Sequence, residues 1–423
     1  METILMNPRD RKRLEVFSQV SSGTMSLRQA SEVLGVSYRQ AKRIWSRYQQ
    51  QGDAGLLHQA RGRASNRQPT AETKERALTL YREQYADYGP TLAAECLTEE
   101  DRLPVAVSTL RRWLVQAGLW QRSRKQKVHR RRRDRRQHQG ELVQLDGSHH
   151  DWFEGRRPHE ADVAYTGWAV LMVMIDDATG RVFARFYENE SWRSAADVFQ
   201  QYTVCYGLPR GLYVDQHGIY RNDREPTSEE ILADFTPETQ FGRAMREIDV
   251  KLILARSPQA KGRVERMNGT LQDRLVKALR RHGVSDLAAA NTFLEEQFLP
   301  AFNRRFSVAA GDPADWHQAL PGDMARILSI QEPRVVQNDW TVSWSNRILQ
   351  LARDASEIVC PRQAVTICEQ LDGVLRIFAG DVELSWSPGR ANRPRPQRRS
   401  GKKATGPIGS SQGQKPSPDH PWR

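Results

Sequence analysis

The chain has 423 residues and a formal net charge of +13 at pH 7, with 64 Lys or Arg residues against 51 Asp or Glu residues. At roughly 150 residues per domain, this length predicts about three folded units, each able to bury its own core. The longest apolar run, 168–175, is far shorter than the roughly 20 residues that span a bilayer, and the N-terminus lacks a signal-peptide core. The four cysteines are scattered without zinc-finger or disulfide spacing. These features exclude a membrane protein and a disulfide scaffold, and they fit a reducing cytoplasm.

The positive charge is concentrated in two segments. Residues 121–138 contain ten Lys or Arg against one Asp, and residues 387–423 contain nine against one, so the rest of the chain sums to −4. Like charges at this density repel one another and stay solvated unless a polyanion neutralises them. Nucleic acid is therefore the leading partner.

Residues 1–68 have the pattern of a helix-turn-helix DNA-binding domain. Apolar residues recur at helical spacing from Leu27 to Leu34, Gly35 suits the turn, and Ser37 is a candidate N-cap for a second helix to about Gln50. That helix would bury Ala41, Ile44 and Trp45 and present a basic face to a DNA major groove. The predicted contacts are Tyr38, Arg39, Lys42, Arg43 and Arg47. The alternative is an ordinary helical pair with a solvated basic face.

Two further segments follow before the catalytic region. Residues 69–120 read as a second helical, helix-turn-helix-like unit, with Arg111 and Arg112 pointing away from its apolar face. Because acidic residues lie near Glu95, a purely structural role for this unit is as strongly indicated as DNA binding. Residues 121–138 cannot build a core, so we predict a basic linker or arm that contacts DNA phosphates. The arm residues assigned to DNA are Arg130, Arg131, Arg132 and Arg133.

Residues 139–325 alternate between strand and helix patterns. An apolar strand ends at Asp146, two strands flank an Asp-Asp-Ala-Thr-Gly turn, a fourth strand leads to Asp215, and a fifth precedes a long helix that begins near Ser257. The order β-β-β-α-β-α-β-α predicts an α/β, RNase H-like core: a mixed five-stranded sheet with helices on both faces. In the turn, Asp176 and Asp177 are expected to make local hydrogen bonds rather than to bind metal.

Three carboxylates in this core could converge. Asp146 and Asp215 follow strands, and Glu265 shares a face of the long helix with Lys261, Asn268 and Gln272, away from a buried stripe that includes Val264 and Leu271. Two Mg²⁺ ions, for which Mn²⁺ can substitute, would be held by these oxygens to catalyse an in-line phosphoryl displacement. Asp146, Asp215 and Glu265 are thus the predicted catalytic and metal-binding residues. Lys261 and Arg266 are the predicted phosphate contacts beside them, with solvated helix charges as the alternative for Arg263 and Arg266.

These motifs resemble a known family. Leu145-Asp146-Gly147-Ser148, Asp215-Gln216-His217-Gly218 and Ser257 to Asn268 (SPQAKGRVERMN) are similar to those of the DDE insertion-sequence transposases of the retroviral-integrase superfamily, most of all the ISNCY group. The likeness extends from the helix-turn-helix through Asn303–Phe306 into the C-terminal region. Two departures are the long spacing between Asp215 and Glu265 and the lack of a His-His-Cys-Cys zinc module.

The resemblance implies a transposase that binds the terminal inverted repeats, cleaves at the element's ends and joins the 3′-hydroxyl to target DNA. It also implies a homo-oligomer on double-stranded DNA, in a bacterial cytoplasm at the nucleoid. No Walker A motif is present, so no nucleotide cofactor is expected. Two other functions are a sequence-specific DNA-binding repressor and an RNase H-like nuclease without strand joining.

The C-terminal region has two parts. Short alternating strands in residues 334–386, with a Leu-Asp-Gly-Val hairpin, predict a small β-barrel. Residues 387–423 are rich in Pro, Arg, Gly and Ser, which predicts a disordered basic tail.

Overall fold

The computed structural model describes residues 6–57, 69–122, 134–157, 168–232, 236–255 and 262–389. The chain forms two compact units, residues 1–128 and 129–423. No helix in the described ranges is long and apolar enough to cross a membrane.

The first unit begins with the predicted helix-turn-helix. Its helices are α1 (Pro8–Ser21), α2 (Leu27–Leu34) and α3 (Tyr38–Gln51), followed by a 3₁₀ turn at Gly52–Leu56. Gly35 ends α2 in the left-handed conformation, which a residue with a Cβ adopts at a cost. The Ser37 side chain caps α3 by accepting from the Gln40 N–H at 3.2 Å. A small apolar core holds the three helices together: Val16, Phe17, Ala30, Ile44 and Leu56.

A second helical bundle completes this unit. It consists of α4 (Ala71–Gln84), α5 (Pro90–Glu99) and α6 (Val107–Gln116), as the apolar pattern predicts. Its core is rich in tyrosine, and the buried Tyr81 hydroxyl donates to the Tyr88 carbonyl at 2.9 Å. Arg111 and Arg112 are exposed on α6.

The second unit is built on a mixed five-stranded sheet. Its strands are β1 (Val143–His150), β2 (Ala169–Asp176), β3 (Val182–Tyr187), β4 (Gly211–Val214) and β5 (Lys251–Leu254). They lie in the order β3-β2-β1-β4-β5, antiparallel among the first three and parallel from β1 to β5. Every residue of β2 is buried because this interior strand is covered on both faces of the sheet. The predicted mixed sheet of five strands is confirmed.

Helices cover the two faces of this sheet. One face packs on α7 (Trp192–Tyr206) and α9 (Gln240–Glu247), and the other packs on α10 (Gly262–Arg281), α11 (Leu287–Phe293) and α12 (Leu299–Phe306). A π-helical turn, Leu294–Phe298, joins α11 to α12, and the short α8 (Ser228–Leu232) lies in the insertion before α9. The apolar stripe of α10 is buried at Val264, Leu271 and Leu275, in agreement with the sequence pattern.

The C-terminal strands form two separate sheets. After α13 (Met324–Ile327) come β6 (Ile330–Val335), β7 (Thr341–Trp344), β8 (Arg347–Leu351), β9 (Ala364–Glu369), β10 (Leu375–Ala379), β11 (Val382–Leu384) and β12 (Trp386–Pro388). The sheet orders are β11-β10-β9-β6 and β12-β8-β7, and an apolar cluster fills the space between them.

Two predictions for this region need revision. A closed barrel is not confirmed, because no described strand pairs across both sheets. The last strand also continues through Ser387 and Pro388, which pair with β8, so the tail does not begin at Ser387. The rest of the predicted tail, 390–423, lies outside the described residues.

Candidate active site

Asp146 and Asp215 lie on neighbouring strands. The parallel register pairs Val143 with Leu212 and Gln144 with Tyr213. If this register is continued by two residues along both strands, Asp146 lies opposite Asp215. Adjacent strands of a sheet are about 5 Å apart. The prediction that the first strand ends at Asp146 is wrong, because β1 pairs with β2 along its full length to His150. Asp146 therefore sits in mid-strand, where β1 runs on beyond the end of β4.

The helix α10 faces Asp146 through amide side chains. The Nδ2 group of Asn268 donates to Oδ2 of Asp146 at 2.9 Å, and one turn later Gln272 donates to the Ser148 hydroxyl at 3.1 Å. Asn268 is buried. The face predicted for Glu265, Asn268 and Gln272 is thus the face that lies against β1.

Glu265 occupies the first turn of α10, one turn before Asn268, and its side chain is exposed. The residues just before this helix, including Lys261 and Ser257, lie outside the described residues. Among those described, no three His, Cys, Asp or Glu side chains are grouped closely enough to hold a metal ion. The strand register leads Asp146 and Asp215 to neighbouring positions, and Glu265 lies in the first turn of α10. The convergence of all three remains a prediction.

Two oxygen atoms beside these carboxylates are buried without a hydrogen-bond partner in the described structure. They are the Tyr220 hydroxyl and the Asn268 Oδ1 atom. Burial raises the pKa of Tyr220 well above its ordinary value of 10.0, and the charges of Glu190, Asp215 and Asp146 raise it further. The phenol is therefore neutral at physiological pH, and three carboxylates lie close enough to influence it.

Glu190 is a site neighbour that the sequence pattern does not reveal. It lies between β3 and α7, and its Oε2 atom is 3.0 Å from Nε2 of His149. Its carboxylate rests on the backbone of Gly147, because a Cβ built there would lie 2.5 Å from Oε2. The Glu190 side chain is only 12% exposed. Glu190 therefore adds a carboxylate beside Gly147, the residue that follows Asp146.

The oxygen donors of these side chains are of the kind that a hard divalent cation prefers. Asp146 and Asp215 offer carboxylate oxygens from adjacent strands, and Glu265 lies one helix turn from Asn268. The buried Tyr220 hydroxyl and the Asn268 Oδ1 atom have no hydrogen-bond partner in the described structure, so they are two further oxygen atoms near the carboxylates. An excess of negative charge at one edge of the sheet is costly unless a cation offsets it. The donor chemistry is that expected for Mg²⁺ or Mn²⁺.

The residues discounted as metal ligands have other partners. Asp176 accepts from the Thr179 N–H at 2.8 Å, a local turn contact as predicted. Asp177 also accepts hydrogen bonds, but from distant elements.

The predicted DNA-contact residues differ in exposure. On α3, Tyr38, Arg39, Lys42 and Arg43 are exposed, and the Lys42 ammonium lies 5.1 Å from the Tyr38 ring centre. Arg47 is half-buried, as is Trp45, which packs on Phe17 instead of being fully buried. Arg266 is exposed on α10. The arm residues Arg130 to Arg133 lie outside the described residues.

Known proteins resemble this chain along most of its length. Residues 12–64 match the model of a helix-turn-helix domain. The chain is 39% identical over 355 residues to y4bF of Sinorhizobium fredii, which is named as a transposase; the match covers 83% of this chain and 74% of that protein. It is 27% identical over 411 residues to the transposase for insertion sequence IS1202 of Streptococcus pneumoniae, covering 88% and 83% of the two chains. The HTLV-2 integrase catalytic core domain in complex with magnesium aligns with 38% of this chain and 88% of its own, at 18% identity. Its TM-score of 0.24 is too low to bear on the fold.

Proposed function

This chain belongs to the family of insertion-sequence transposases, and on that premise we propose that it binds the terminal inverted repeats of its own element, cleaves the DNA at the element's ends and joins each freed 3′-hydroxyl to target DNA. The observation that supports this best is the parallel pairing of β1 with β4, whose register leads to Asp146 and Asp215, together with the hydrogen bond from Asn268 of α10 to Asp146. The same chain carries a helix-turn-helix domain that suits recognition of the element's ends.

The carboxylates are assigned to metal binding. Asp146, Asp215 and Glu265 would hold two Mg²⁺ ions, for which Mn²⁺ can substitute. Bound there, such ions stabilise charge on the attacking and leaving oxygens of an in-line phosphoryl displacement. Asn268 keeps Asp146 in one orientation by donating to Oδ2. No covalent protein intermediate is required, because water and then the 3′-hydroxyl act as nucleophiles.

The remaining residues of the site would orient DNA. Arg266 follows Glu265 directly and is exposed, so its guanidinium is available to a phosphate next to the scissile bond. Lys261 is assigned the same role from its place in the sequence. Precise placement matters here because phosphoryl transfer depends on positioning and charge stabilisation.

DNA binding is assigned to three parts of the chain. The exposed face of α3 would read the element's end, with Tyr38, Arg39, Lys42 and Arg43 as contacts and Arg47 at its edge. Arg111 and Arg112 of α6 and the basic arm would add phosphate contacts. Two ends must be held together for joining, so we propose a homo-oligomer in the DNA complex, acting on nucleoid DNA in a bacterial cytoplasm.

Two other functions make distinguishable predictions. A repressor would need no cluster of carboxylates, whose mutual repulsion reduces stability without a cation. A nuclease with the same core would cut ends without joining them. The presence of Asp146, Asp215 and Glu265 behind a helix-turn-helix domain favours transposition over both.

The test uses duplexes copied from the inverted repeats that flank the protein's own gene. The wild-type protein and the Asp146→Asn variant are incubated with Mg²⁺ or Mn²⁺, and nicks and joined products are mapped. We expect metal-dependent 3′-end cleavage and joining in the wild type, no cleavage in the variant, and equal end binding by both. Asp372→Asn, which makes the same charge change in an exposed turn of the C-terminal sheet, is the control and should behave as wild type.

Other results would overturn parts of the proposal. Cleavage without joining would indicate a nuclease, and tight binding with neither activity would indicate a DNA-binding protein. Loss of end binding in Asp146→Asn would contradict the separation of binding from catalysis.

A further inference from the structure

Asp177 has contacts that a turn residue does not need. It follows β2 at the hairpin, where Asp176 already makes the local turn contact with Thr179. Asp177 is fully buried, and its backbone N–H donates to the Leu142 carbonyl at 2.9 Å. A buried carboxylate is costly unless it is paired and hydrogen-bonded, so its partners determine what it does.

The Asp177 carboxylate joins three separate segments. Oδ1 accepts from Nε2 of Gln144 at 2.7 Å. Oδ2 lies 2.7 Å from Nη1 of Arg263 and accepts from the Arg136 N–H at 2.9 Å. The same Arg263 nitrogen donates to the Asp177 carbonyl at 3.0 Å, which fixes the direction of the guanidinium. Charge-assisted bonds of this kind are short and directional.

These partners are the immediate neighbours of the candidate catalytic residues. Gln144 is fully buried on β1, two residues before Asp146 and on the same face of the strand. Arg263 lies in the first turn of α10, two residues before Glu265, with its side chain 15% exposed. Arg136 ends the basic segment where that segment joins the core. One carboxylate thus links the strand of Asp146, the helix of Glu265 and the end of the arm.

The other contacts of α10 are of two kinds. Farther along the helix, Asn268 and Gln272 hydrogen-bond to Asp146 and Ser148 of β1. Val264, Leu271 and Leu275 pack by apolar contact, which is non-directional and tolerates small shifts of a helix along its axis. The Arg263–Asp177 ion pair is directional and lies at the end of the helix that carries Glu265.

We propose that Asp177 and Arg263 are positioning residues that fix the first turn of α10 relative to β1, and so set the distance between Glu265 and Asp146. This inference rests on the proposed function, in which those two carboxylates act together. Asp177 touches neither DNA nor metal; it acts through Gln144 and Arg263.

The experiment compares Arg263→Ala and Arg263→Lys with wild type in the full-length protein. Single-turnover end cleavage, the dissociation constant for the element's end and the thermal midpoint are measured for each. Misplacement of a reacting group by about 1 Å costs about a hundredfold in rate, so we expect a loss of that order in Arg263→Ala with unchanged end binding. Lys277→Ala is the matched control, since it breaks an ion pair with Asp273 within α10 and should cleave at the wild-type rate.

A second readout does not depend on activity. If the carboxylates are correctly placed, Mn²⁺ raises the thermal midpoint of the wild-type protein by binding the folded state. We expect this increase to be lost in Arg263→Ala and retained in Lys277→Ala. Low-millimolar guanidinium should occupy the vacated space beside Asp177 and restore both the Mn²⁺ shift and the cleavage rate. Arg263→Lys, which keeps the charge but lacks the planar group, should be intermediate.

The outcomes separate this inference from the proposed function. If the wild-type protein cleaves and Arg263→Ala keeps both the wild-type cleavage rate and the Mn²⁺ shift, the positioning role is overturned and the proposed function stands. Guanidinium that restores the thermal midpoint without the rate would show that the pair is only structural. A wild-type protein that never cleaves would overturn the proposed function, and the Mn²⁺ shift would still decide whether Arg263 positions the carboxylates.

Discussion

Replacing Gly147 by Ala tests whether Glu190 is packed against the strand that carries Asp146. The backbone itself accepts the change, because Gly147 lies in β1 without a positive φ. The new Cβ would lie 2.5 Å from Oε2 and 2.7 Å from Cδ of Glu190. Both distances are shorter than the non-bonded contacts that Cβ atoms make in proteins. The carboxylate is the far end of a flexible side chain, so we expect Glu190 to swing away and to lose its contact with His149.

The size of the effect follows from that lost contact. A hydrogen bond in a folded protein contributes about 0.5–1.5 kcal/mol, and the His149 side chain is 52% exposed, which places this pair near the lower end. We therefore expect a destabilisation of about 0.5 kcal/mol. For a domain of this size such a change lowers the thermal midpoint by about 1–2 °C.

The assay is a double-mutant cycle of Gly147→Ala and Glu190→Ala, followed by calorimetry. If the methyl group acts only by displacing Glu190, Glu190→Ala should cost the same amount, and adding Gly147→Ala to it should cost nothing. End cleavage should fall by one common factor in both single variants and in the double variant. Additive losses, or a Gly147→Ala variant that is as stable and active as wild type, would refute the steric argument.

Three further predictions concern DNA binding, helix capping and pH. Replacing Arg130–Arg133 by Ala should weaken DNA binding and reduce the magnitude of the slope of log K against log salt by about 3 to 4, whereas an unchanged slope would contradict the arm's role. Ser37→Ala removes the cap that accepts from Gln40 and should destabilise the helix-turn-helix by about 1 kcal/mol in chemical denaturation, with the mid-helix Ser46→Ala as the control. Burial alone would raise the pKa of Asp315, but hydrogen bonds from the His317 backbone and ring outweigh it and hold the pKa below its ordinary value. A depressed pKa stabilises the fold above about pH 4 and loses that contribution as the pH falls through it, so below pH 4 the thermal midpoint of wild type should fall more steeply than that of Asp315→Asn.

Local patterns were sufficient for most of the helical architecture. The helix α3 begins after Ser37 as expected, because a cap and a 3.6-residue apolar repeat are both read over a few neighbouring residues. The same repeat assigned Asn268 and Gln272 to one face of α10, and that face lies against β1. The end of β1 was misplaced because a strand's length depends on its partner, and β2 continues beside it to His150.

Such sequence patterns identify only some of the residues of the candidate site. Asp146 and Asp215 stand out because each carboxylate interrupts or follows an apolar strand. Glu190 has no such signal, since a carboxylate between a strand and a helix is ordinary in sequence and becomes notable only where Gly147 leaves room for it. Asp177 was expected to be a local turn residue, although its hydrogen bonds reach three distant segments.

The sequence alone determined the family, the helix-turn-helix, the five strands and the candidate carboxylates, because caps, apolar periods and motifs are short-range information. The tertiary structure decided which side chains meet. Arg263 reaches Asp177 across 86 residues of sequence, Gln144 reaches it across 33, and His149 reaches Glu190 across 41. It also decided that the C-terminal strands form two sheets instead of a closed barrel. Pairings between distant residues depend on how sheets and helices stack, and no local pattern specifies that stacking.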